Sequence, residues 1–186
     1  MNFRNGNRKL GKDTLIFNMT SATDCPSFQL NMCQMFDTSR CYAYRAENQF
    51  PNVLAFRRKQ AQSWRQSNPE TIVIAILDSI RRKQTPIHFI RFSESGDFRS
   101  QVDVDKMSHI ASMLPWLTFY GYSSRQDLSF KSVPENMTVN GSGFMIHNQF
   151  DAVHEYTGKH IKCLGNCREC NTCKGRRGVK IENLLH

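Results

Sequence analysis

Short apolar runs rich in β-branched and aromatic residues punctuate the chain. They are T-L-I-F-N-M-T (14–20), P-I-H-F-I-R-F-S (86–93), W-L-T-F-Y-G-Y (116–122), M-T-V-N (137–140) and G-F-M-I-H-N (143–148). Each predicts a strand. Between them the period lengthens. From Cys41, Y-A-Y-R-A-E and then V-L-A-F-R-R-K-Q-A-Q-S-W predict helix, with Pro51 as an interruption or restart. N-P-E-T-I-V-I-A-I-L-D-S-I-R-R-K is a well-marked helix: Asn68 can cap it, Pro69 fits its first position, Glu70 lies in the first turn, and Arg81, Arg82 and Lys83 lie in the last. V-D-V-D-K-M-S-H-I-A-S-M-L predicts an amphipathic helix with Val104, Met107, Ile110, Ala111 and Leu114 on one face. His88 and His109 are expected in the core.

Strands alternating with helices predict βαβ units and a mostly parallel sheet, with the strand-end loops on one edge. The expected fold class is α/β, a partial or short (βα) barrel-like sheet with an irregular Cys-rich C-terminal tail. The whole chain, 1–186, is expected to be one domain, with 1–150 as α/β core and 151–186 as a metal-binding tail packed on it. A length of 186 residues supports a core without cysteine staples. No apolar run approaches a membrane span. The polar, basic start lacks the apolar stretch of a secretory signal, so a reducing cytoplasm is expected.

In that setting seven cysteines favour metal or redox chemistry over disulfides. Cys163, Cys167, Cys170 and Cys173 form C-x3-C-x2-C-x2-C and are the leading metal ligands. Disulfides within so short a run would close small loops for little entropic gain. Zinc knuckles usually stand apart on a long loop, absent here, although His160, His147 or an N-terminal cysteine could complete a zinc site. The C-x2-C-x2-C tripod suits a [4Fe–4S] cluster. The first three tail cysteines, C-x3-C-x2-C, resemble the motif of radical S-adenosylmethionine enzymes, which follows the first strand and leaves one iron open. Here the motif is late, and Cys173 is near enough to cap that iron. Cys25, Cys33 and Cys41 follow the first predicted strand and are second-rank ligands or small buried side chains.

Polar groups also fall at predicted strand ends. Ser95, Gly96 and Asp97 follow one strand, Ser123 and Arg125 the next, and Asn140 and the His147–Asn148 pair the following two. Ser95, Gly96, Asp97, Ser123, Arg125 and Asn140 are the candidate cofactor-binding residues, S-adenosylmethionine included, and in a parallel sheet all these groups would share the edge carrying Cys25. The bland reading of Ser95–Phe98 is a strand-to-helix turn capped by Asp97.

The formal charge is +9. One basic set surrounds the tail cysteines: Lys159, Lys162, Arg168, Lys174, Arg176, Arg177 and Lys180. Others are Arg4, Arg8, Lys9 and Lys12, and Arg57, Arg58, Lys59 and Arg65. They admit nucleic-acid binding, a solvated surface, or compensation of metal-bound thiolates.

Several segments together resemble the phage gene product 88 domain family: S-A-T-D-C-P, C-Y-A-Y-R-A-E, the R-R-K-Q segment ending near Trp64, R-F-S-E-S-G-D-F, the Y-S-S-R strand end and the terminal cysteine run. The resemblance implies a viral protein acting in the host cytoplasm and implies little about reaction. The expected function is an iron–sulfur protein in redox, electron-transfer or radical-SAM-like chemistry, with a host redox partner. The alternative is a zinc-stabilised nucleic-acid-binding protein.

Overall fold

The computed structural model describes residues 1–7, 9–34 and 40–185. Arg8, in one basic set, lies outside them. The strands are β1 (Arg4–Asn5), β2 (Thr14–Phe17), β3 (Phe89–Phe92), β4 (Thr118–Ser123), β5 (Met137–Ser142), β6 (Asn148–Val153), β7 (Ile161–Lys162) and β8 (Lys180–Leu184). They make one sheet in the order β1-β2-β3-β4-β5-β6-β8-β7. Every pairing is parallel except β1 with β2. The end strands β1 and β7 do not pair with each other among the described residues, so the sheet stays open.

The helices are α1 (Pro26–Gln29), α2 (Tyr42–Gln49), α3 (Pro51–Gln66), α4 (Pro69–Arg81), α5 (Gln101–Met113) and α6 (Thr172–Gly175). Pro51 restarts the helical path, because its fixed φ suits a first turn and its missing N–H costs nothing there. Asn68 caps α4 by accepting the Thr71 N–H at 2.8 Å.

Alternation along the strands divides the sheet into two unlike faces. Leu15, Phe17, Ile90, Phe92, Phe119, Met137 and Val139 belong to the apolar core with Trp64, Ile72 and Ile76 from α3 and α4. Val104, Met107, Ile110, Ala111 and Leu114 join them, as the amphipathic pattern of α5 requires. Gly121 interrupts the β4 series because the Phe92 ring fills its place: a Cβ there would lie 2.1 Å from that ring. The intervening residues Arg91, Tyr120, Tyr122, Asn140 and Asn148 occupy the second face, which the cysteine-rich segment covers through α6 against β4 and β5.

Three expectations are corrected. His88 and His109 are exposed: β3 begins after His88, and His109 rides the outer side of α5, 3.9 Å from Glu70. G-F-M-I-H-N is no strand over most of its length. Residues 143–147 form the tight return between parallel neighbours β5 and β6, far shorter than an ordinary crossover. His147 pins that return. Its N–H donates to the Val139 carbonyl at 3.1 Å, and its Nδ1 accepts the Val139 N–H at 2.9 Å. Nor is the chain beyond Asp151 irregular throughout, since β6 runs on to Val153 and β8 pairs along it. Buried Ile181, in register with Phe150, anchors β8 in a run too polar to announce a strand.

Candidate functional site

At the C-terminal edge of β2, β3 and β4, Ser95, Gly96, Asp97, Ser123 and Arg125 gather, but Asn140, His147 and Asn148 do not join them. Asp97 is buried and accepts from Ser27 Oγ at 2.5 Å and from the Ser124 and Phe98 N–H groups at 2.7 and 2.8 Å. Gly96 takes a positive φ of 70° and backs onto Thr20, whose Oγ1 would lie 1.8 Å from any Cβ, so only glycine fits the turn. Ser95 donates its N–H to Asn18 and its hydroxyl to Glu47. Ser123 Oγ accepts the Arg125 N–H. The Arg125 guanidinium bonds Asp127 and the carbonyls of Phe98 and Arg99. Cys25 joins this edge: burial, the Asp97 charge and Cys33 push its thiol up to about 12.

Beneath these lies an unforeseen centre, Glu47. It accepts the N–H groups of Ala22 and Thr23, the Thr23 hydroxyl, Ser95 Oγ, and Arg57 Nη1 at 2.9 Å. Burial pushes its carboxyl up, but those donors outweigh burial and hold it below the usual range. Asp97 goes the other way, its burial outweighing the Ser27, Ser124, Ser123 and Phe98 bonds. Arg57, counted in the sequence as part of a basic patch, is thus a buried ion-pair member.

Asn140 stands apart from that edge. Its side-chain amide donates to the carbonyls of Gly121 and Cys173 at 2.9 and 3.0 Å and accepts from Asn148, which also donates to the Arg176 carbonyl. Lys174 is buried, donates to the Cys167 carbonyl at 2.8 Å and lies over the Phe89 ring. The Arg177 guanidinium donates to the Pro134 and Met137 carbonyls. These contacts press the segment from Cys167 to Arg177 onto the second face of the sheet.

Under that segment sits Arg91, only 8% exposed. Its guanidinium stacks at 4.3 Å on the Tyr122 ring and 5.3 Å on the Tyr120 ring. Its buried Nη1 has no hydrogen-bond partner, and neither has the Tyr120 hydroxyl. No carboxylate pairs with it among the described residues. Burial works against its charged form, but neighbouring Tyr122, Tyr120, Tyr42 and Cys173 outweigh burial and hold its pKa above the usual value.

The tail thiols are electrostatic neighbours. Burial pushes Cys167 up, reinforced by Cys173 and Cys163 and opposed by Arg91 and Lys174. Burial also raises Cys173, against a hydrogen bond with Tyr122 and the Arg91 charge. Cys170 is exposed and held below its usual value by Thr172. Of the second-rank cysteines, Cys25 and Cys33 neighbour each other, whereas Cys41 precedes α2 beside Tyr42. No three His, Cys, Asp or Glu side chains converge as a metal-holding group among the described residues. His147 and His160 do not join the tail thiols: His147 is committed to Val139, and His160 neighbours Glu182.

Period-2 alternation through F-I-R-F and T-F-Y-G-Y could have put Arg91, Tyr120 and Tyr122 on one face. For Glu47 and Arg57 no local signal existed.

Fold and site together define an open α/β protein, carrying a cysteine-rich cover over a buried cation that has no ion-pair partner among the described residues. The chain belongs to the phage gene product 88 family, whose model, described as "Gene product 88", matches residues 1–169. Cys163 and Cys167 lie inside the match, Cys170 and Cys173 beyond it. No curated protein and no solved structure matches the chain significantly. Among the described residues no helix is long and apolar enough to cross a membrane.

Proposed function

We propose that this protein binds an iron–sulfur cluster of the [4Fe–4S] type through Cys163, Cys167, Cys170 and Cys173, and serves redox chemistry in the host cell. The observation that carries the reading is Arg91. Among the described residues no counter-charge faces it, and a buried guanidinium without one costs several kcal/mol. The groups of the tail able to supply negative charge beside it are Cys167 and Cys173, and a thiol becomes a lasting thiolate at neutral pH when a metal holds it. Four thiols within one short segment suit that donor chemistry.

When bound, such a cluster supplies one-electron transfer. The chain's own residues hold the environment. Arg91 offsets thiolate charge, Tyr122 donates to the Cys173 sulfur, and Lys174, Asn140 and Asn148 fix the carbonyls that frame the segment. Hydrogen bonds and nearby positive charge favour the more reduced, more negative state.

Anaerobic purification, iron and sulfide analysis and Mössbauer spectroscopy test the proposal. Expected are iron and acid-labile sulfide in equal amounts, with Cys163, Cys167, Cys170 and Cys173 each required. A colourless protein holding stoichiometric zinc overturns it. S-adenosylmethionine added to the reduced protein is expected to leave the EPR signal unchanged. Ser95, Asp97, Ser123 and Arg125 are already occupied by internal hydrogen bonds, and Cys173 remains to cap the fourth iron.

A further inference from the structure

The basic patches of the sequence separate once the chain is folded. Lys174 is buried under the tail, Arg177 is spent on backbone carbonyls, and Arg57 is paired with Glu47. What remains outward on α3 is Arg58, Lys59 and Arg65. They line an open cleft of about 710 Å³ together with Thr20, Ser21 and Arg99. Arg99 comes from the loop after β3 and joins this set only through the fold. Four cations face one carboxylate in the lining, Asp24.

Two of the cations are already set in place. Arg58 forks onto Asp24 at 2.8 and 3.0 Å, and Ser21 donates to the same carboxylate at 2.6 Å. Arg99 forks onto Asp103 at 2.9 and 3.0 Å. Forked guanidinium groups held this way lose little freedom on meeting an anion. Lys59 and Arg65 make no ion pair among the described residues. Arg58 and Arg65 are two turns apart, about 10 Å along the helix axis. One phosphate cannot span that distance, whereas successive phosphates of a strand can. The lining holds no aromatic ring on which a base could stack.

We propose that this cleft binds the phosphodiester backbone of a nucleic-acid strand without reading its sequence. The site is separate from the cysteine-covered face and does not depend on the metal reading.

The test is fluorescence anisotropy of a labelled single-stranded oligonucleotide of mixed sequence against the full chain, as salt is raised from a low value. Binding is expected to weaken steeply with salt. The double variant K59Q/R65Q leaves the Arg58–Asp24 pair intact. It should weaken binding roughly tenfold at low salt and flatten the log–log salt slope by about 1.4, near 0.7 for each cation removed. Glutamine at Lys159, Lys162 and Arg168 should leave both unchanged, and ATP should compete only in large excess. The proposal is overturned by no binding at low salt, by a double variant that binds as the parent does, by loss through the tail variant instead, or by ATP displacing the strand at near-stoichiometric amounts.

Discussion

Two buried polar regions flank the same strands and solve the problem of burial differently. At the strand ends, Glu47 and Asp97 have donors on every carboxylate oxygen, from backbone N–H groups, hydroxyls and the Arg57 guanidinium. On the second face of the sheet, Arg91 Nη1 and the Tyr120 hydroxyl are buried with no hydrogen-bond partner among the described residues. A fully satisfied buried network stiffens a fold, while a half-satisfied one is a liability unless something fills it. The strand-end network is complete in itself, and the proposed cluster would supply what the cysteine-covered face lacks. The strand-end residues Ser95, Asp97, Ser123 and Arg125 are all engaged in internal hydrogen bonds.

The largest effect should come from breaking the complete network. Glu47→Ala leaves Arg57 buried and uncompensated and strips acceptors from Ala22, Thr23 and Ser95. A loss of about 3–5 kcal/mol is expected, measured as a lower urea midpoint with an unchanged slope. A loss below about 1 kcal/mol would mean the network is ornamental and would erase the contrast.

Arg91→Met asks the opposite question of the other region. In metal-free protein the change removes a buried charge with no ion-pair partner among the described residues and keeps most of its volume. It forfeits the stacking on Tyr120 and Tyr122, worth about 0.5–2 kcal/mol. Stability should stay level or rise by up to about 2 kcal/mol. After anaerobic iron and sulfide loading the same variant should retain less cluster than the parent. If Arg91→Met instead unfolds the metal-free protein, Arg91 has a structural counter-charge and the two regions are alike.

The sequence made the first region's components visible but not its closure. Strand ends carry polar residues because loops start there, and S-G-D-F and Y-S-S-R could be placed by strand length alone. Glu47 and Arg57 lie ten positions apart on two different helices and meet only through tertiary packing. Elements with strong local signals were legible: the Asn68 cap and the apolar face of α5 hold as predicted, because hydrogen-bond geometry and helical period act over a few residues. Strand polarity was less so. P-I-H-F-I-R-F-S looks mostly apolar and buried; alternation alone sets Arg91 opposite Phe92, but only the pairing with β4 shows that its neighbour on that face is Tyr120. Asn140 was read as a strand-end group, yet it is a clamp on the Cys173 carbonyl in mid-face, since β5 continues to Ser142. The cysteine spacing was plain in the chain. What fixes the cysteines to the sheet was not, because every anchor is a long-range contact.

A smaller, pH-dependent effect should separate the regions further. His147 holds the β5–β6 return through Val139, and its own carbonyl accepts the Gly178 N–H at the exit of the cysteine segment. Burial, with help from the Arg177 charge, lowers its pKa from 6.5 to about 4, the Phe130 backbone bond opposing only in part. The neutral ring is needed because Nδ1 must accept a hydrogen bond. The unfolded chain therefore binds the proton more readily between pH 6.5 and about 4, so stability is intact above that window and falls as pH drops through it. Allowing for partial exposure, the loss is about 1–2 kcal/mol. Hydrogen exchange across the window should show the amides of 139 and 178 opening before those of 22 and 23, which Glu47 still holds. His147→Gln should remove that pH dependence. If both sets of amides open together, the cover over the second face is no more separable from the fold than the strand-end network, and the line drawn between the two regions fails.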